Sequence, residues 1–60
     1  MPNLTRKELI SIKDLVSAHQ ILVSKLNSYS NSCQSPEIKQ MFQSAAGEAK
    51  QSAQSLIQML

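Results

Sequence analysis

Between Asn3 and Ser35 the chain contains neither glycine nor proline, and its apolar side chains recur at helical spacing. Leu9, Ile12, Leu15, Val16, Leu22, Val23, Leu26 and Tyr29 fall three or four residues apart, which winds them into one stripe on a helix. Thr5 has the right side chain for an N-cap, and Glu8 follows at the capping-box distance. Leu4 and Leu9 occupy the two positions of a hydrophobic staple. The pattern fades over Ser28-Tyr29-Ser30-Asn31-Ser32, where short polar side chains compete for backbone hydrogen bonds. A helix from Thr5 to about Asn31 is expected, roughly 40 Å long.

Ser35-Pro36-Glu37 then reads as N-cap, N1 and N2 of a second helix. Proline is tolerated at N1 because its missing N–H has no intrahelical acceptor, and Glu37 suits the positive end of the helix dipole. A connection of about 32–35 is short enough to make the helices antiparallel neighbours. The second helix is expected over about 36–60, with Ile38, Met41, Phe42, Ala45, Ala46, Ala49, Ala53, Leu56, Met59 and Leu60 on its apolar face. Gly47 falls opposite that stripe, at a cost of about 1 kcal/mol against alanine.

Folding the chain about its turn brings Leu26 to Phe42, Leu22 to Ala45 and Ala46, His19 towards Ala49, Ser52 and Ala53, and Ile12 towards Leu56. The expected class is therefore all-α: one antiparallel helical hairpin, residues 1–60 forming a single domain. Sixty residues are too few for a secure core, because a chain this short buries only about 60% of its unfolded surface. Disulfides, a metal or oligomerisation usually make up the difference. One cysteine, Cys33, cannot form an internal bridge, and no Cys and His cluster has structural zinc spacing. Oligomerisation is left. Two hairpins forming a four-helix bundle would cover stripe that each hairpin leaves wet, with Ile12, Leu15, His19, Leu22, Leu26, Phe42, Ala49 and Leu56 as the dimer core. Ile10 and Ile21 lie off the main stripe, as ordinary surface residues or a second contact surface.

The net charge of +2 is carried by six dispersed cations. Nucleic-acid binding calls for a denser basic patch with aromatics for stacking. Only Tyr29 and Phe42 are aromatic, so no nucleic-acid partner is expected. Met1-Pro2-Asn3-Leu4-Thr5 has no secretory signal pattern, and no apolar run approaches a membrane span. An intracellular protein without a membrane partner is the expectation. Ten serines and seven glutamines give a polar surface carrying little charge.

His19 lies centrally in the first stripe. It reads as a core or interface histidine bonded to a serine or carbonyl. The alternative is a metal ligand or pH switch, with Glu48 as its acidic partner in a symmetric dimer; Glu48 sits on the flank of its helix, which favours solvation. Cys33, at the turn, is a small hydrophobe or a site for linking chains. Met1 is the initiator, and Met41 and Met59 read as core filler. Asp14 lies about 140° around the helix from His19, so no Ser-His-Asp arrangement forms. Neither catalysis nor a cofactor is expected.

Leu4-Thr5-x-x-Glu8-Leu9, Asp14-Leu15-Val16-Ser17-Ala18-x-x-Ile21-Leu22 and Cys33-Gln34-Ser35-Pro36-Glu37-Ile38-Lys39-x-x-Phe42, with Gln51, Gln54 and Gln58 later, resemble the Coat F family of bacterial spore coat proteins. The resemblance spans Leu4 to Leu60. It implies a ferritin-like architecture, of which this chain resembles a single hairpin, and a structural coat protein with other coat proteins as partners. Ferritin-like enzymes need Glu-x-x-His. Here the segment is Glu48-Ala49-Lys50-Gln51, with Gln in the histidine position, so no oxidase activity is implied.

Overall fold

The computed structural model describes residues 4–60; the readings of Met1, Pro2 and Asn3 lie outside the described residues. Two helices, α1 (Arg6–Ser32) and α2 (Pro36–Gln58), pack against each other as an antiparallel hairpin. Within the described residues no helix is long and apolar enough to cross a membrane.

Each helix starts where its cap residues dictate. The Thr5 N–H donates to Glu8 Oε1 at 2.9 Å, and the Glu8 N–H donates to Thr5 Oγ1 at 3.1 Å. This reciprocal pair satisfies two donors at the start of α1. At α2 the Ile38 N–H reaches Ser35 Oγ at a longer 3.4 Å. Here the pyrrolidine ring of Pro36 supplies a second start signal, because its fixed φ is already helical. The connection is Cys33–Ser35; the Cys33 N–H donates to the Ser30 carbonyl and closes the last turn of α1.

The buried apolar residues are Ile12, Ala46, Ala49 and Ala53. Val16, His19, Val23 and Leu26 of α1 are half-buried, as are Phe42, Ala45 and Leu56 of α2. Most of the expected stripe thus faces the other helix. The centre of the α1 seam, however, is rotated towards Val16 and Val23. Leu22 is 44% exposed, while Val23 shares a groove with Ala46. Alanines across the seam explain this: a narrow ridge on α2 leaves little depth, so only part of the wide leucine stripe is covered.

Near the turn, Ser30 is only 2% exposed. Its hydroxyl points at the Lys39 carbonyl, 3.5 Å away. That contact is long and weak, yet it gives a buried hydroxyl an acceptor and sets the level of the two helices. Tyr29 and Phe42 stack with ring centroids 5.6 Å apart at a tilt of 53°. The molecule is a thin rod of 47 × 15 × 9 Å, with a radius of gyration of 14.3 Å. A compact 60-residue domain has a radius of gyration near 10 Å.

Candidate functional site

The hairpin has two broad sides, and their chemistry differs. On one side Gln20, Val23 and Asn27 of α1 and Gln43, Gly47 and Lys50 of α2 line an open groove. Each helical residue advances about 100°. Arg6, Lys13 and Lys39 join Lys50 towards this side by that phase, while the acidic residues Glu8, Asp14, Glu37 and Glu48 all fall elsewhere.

Leu15, Leu22 and Tyr29 lie on the other side of the α1 seam from Val23 by the same count, and all three are exposed. On α2 the corresponding side carries Met41, Ala45 and Met59, with Met41 69% exposed. Glu37, Met41, Ala45 and Glu48 share one furrow of α2, which places the two carboxylates beside this apolar side. Lys25 and Asp14 lie on its outer edge along α1. One side of the rod therefore carries amides and cations, without an acid, around an apolar floor of Val23, Ala46, Ala53 and Ile57. The other is apolar with both charges at its margins.

The expected dimer core divides on this geometry. Ile12 and Ala49 are buried within the hairpin, and His19, Leu26, Phe42 and Leu56 lie half-buried between the helices. Leu15 and Leu22 stand on the apolar side, each a little under half exposed. Periodicity merged two surfaces that the structure separates, because a stripe wide enough for two contacts reads in sequence as one. Ile10 and Ile21 are exposed on the back of α1.

The His19 ring is engaged locally. Its Nδ1 lies 2.8 Å from the carbonyl oxygen of Leu15, one turn earlier. A carbonyl only accepts, so Nδ1 carries the proton in that bond. Glu48 is exposed, and among the described residues no three His, Cys, Asp or Glu side chains are grouped as metal ligands. Within one hairpin, His19 and Glu48 are not brought into a ligand set. Cys33 is a free, half-buried thiol at the end of α1.

The one resolved electrostatic perturbation is structural. The Thr5 backbone N–H, and then its hydroxyl, hold the Glu8 carboxyl below the usual glutamate range. Searches among protein families, curated proteins and solved structures gave no match to this chain.

Proposed function

We propose that the protein is a non-enzymatic, self-associating structural unit, whose resemblance to the Coat F family suggests a role in spore coat assembly alongside other coat proteins. The observation that carries the self-association is its excess of surface. A compact monomer of 6.6 kDa exposes about 3,900 Å² by the usual scaling of area with mass. This chain exposes 4788 Å². The surplus, terminal residues included, is on the order of 900 Å², close to the roughly 800 Å² each partner contributes to a standard interface.

Its chemistry offers little else to do. The groove is open, with amides and one ammonium around Val23, Ala46, Ala53 and Ile57, and no nucleophile faces a base across it. Sedimentation equilibrium at micromolar concentration tests the reading. A helical species of twice the chain mass is the expected result. A folded species of single-chain mass would remove the self-association on which the structural role depends.

A further inference from the structure

We infer that a second copy of this chain covers the apolar side, stacked face to face and reversed end for end, so that α1 lies on the partner's α1 and α2 on the partner's α2. This rests on the self-association proposed above and adds the face and the direction.

The charges select the face. The groove side holds Arg6, Lys13, Lys39 and Lys50 with no acid among them, and pairing two such sides would set like charges together. Like-charge juxtaposition disfavours a pairing. The apolar side has the surface to bury and carries Lys25 with Asp14 and Glu48 at its margins.

Self-complementarity selects the direction. Reversing α1 upon itself about His19 brings Leu15 to within a residue of the partner's Leu22 and Lys25 to within a residue of the partner's Asp14. Reversing α2 about Lys50 brings Met41 to the partner's Met59, and Glu48 to the partner's Ser52, whose hydroxyl can donate to it. These two centres come from separate helices, yet the hairpin places them together. Ser30 lies against Lys39; eleven residues back along α1 and eleven forward along α2 reach His19 and Lys50. A single two-fold axis therefore serves both helices. Ala18 faces the partner at that level, where a small side chain lets the two α1 helices close. With the turns at the same end instead, Leu15 meets Ser52 and Ser55, Leu22 meets Ala45 and Glu48, and the matches are lost.

Disulfide trapping tests the arrangement in the full-length chain. Ala18→Cys combined with Cys33→Ser puts one thiol beside the axis, at an exposed position. The parent Cys33 thiols sit at opposite ends of a rod 47 Å long, beyond disulfide reach. Under mild oxidation at equal concentration, the Ala18→Cys protein should form covalent dimer at least about tenfold faster than the parent. Faster linkage through Cys33 would overturn the direction. Faster linkage through Lys50→Cys with Cys33→Ser, on the groove side at the level of the axis, would overturn the face. Either result leaves self-association standing, whereas a monomeric parent in the centrifuge sinks both. Charge reversal gives a second readout. Lys25→Glu or Asp14→Lys alone should weaken the dimer about threefold, and the two together should restore it. Failure of the double variant to recover contradicts the Lys25–Asp14 register.

Discussion

Thr5, Glu8 and Gly47 show what single side chains contribute. The capping box at the start of α1 ties Thr5 and Glu8 in both directions. Thr5→Ala should therefore cost about 1 kcal/mol, read as a lower melting temperature at fixed protein concentration. An unchanged melt would mean that the cap does not form in solution. The Glu8 carboxyl titrates below its ordinary value because the Thr5 N–H and hydroxyl favour its charged form. A depressed folded-state pKa adds stability above the unfolded pKa, and that stability is lost as pH falls through the folded value. The Glu8 side-chain resonance should follow this low titration and move only part of the way back up in Thr5→Ala, which removes the hydroxyl and keeps the N–H. An ordinary titration in the parent would contradict the hydrogen bonds. Gly47 has no neighbour within 4 Å of where a Cβ would stand, and its φ is not positive. Gly47→Ala should stabilise α2 by about 1 kcal/mol. A lower melting temperature would show that the groove needs the missing side chain.

At the scale of the element, α1 supplies bulk and α2 supplies a close approach. Among the described residues Ile12, 9% exposed, is the one large apolar side chain that the hairpin buries, and it faces a helix whose buried residues are all alanine. Ile12→Ala should cost about 2–5 kcal/mol, enough to leave much of the isolated protein unfolded by circular dichroism. Retention of full helicity and melting temperature would place the stabilising contacts elsewhere. The ends of both helices were readable from Thr5, Glu8, Ser35 and Pro36, since caps act locally and need no tertiary knowledge. The rotation of the α1 seam was not. Leu22 and Val23 are adjacent and equally apolar, and which of them faces α2 depends on the low alanine ridge opposite. A helical period cannot weigh those two depths.

For the whole molecule, the decisive property is a thin rod with one apolar side. Length and the solitary cysteine are what argue for a partner. The exposed apolar side was only partly legible: Leu15 and Leu22 were singled out, but together with Ile12 and Ala49, which the hairpin already hides. Separating them requires the groove of Gln20, Asn27 and Lys50 to mark which side is cationic. Local hydrogen bonding of His19 to Leu15 is likewise invisible in a periodic pattern, because it runs along the helix instead of across the seam. If folding and association are one event, stability must depend on concentration. Thermal unfolding followed over a hundredfold dilution series tests this directly. A dimer of this length should lose roughly ten degrees of melting temperature across the series. A midpoint independent of concentration, with a cooperative transition at every dilution, would contradict the account.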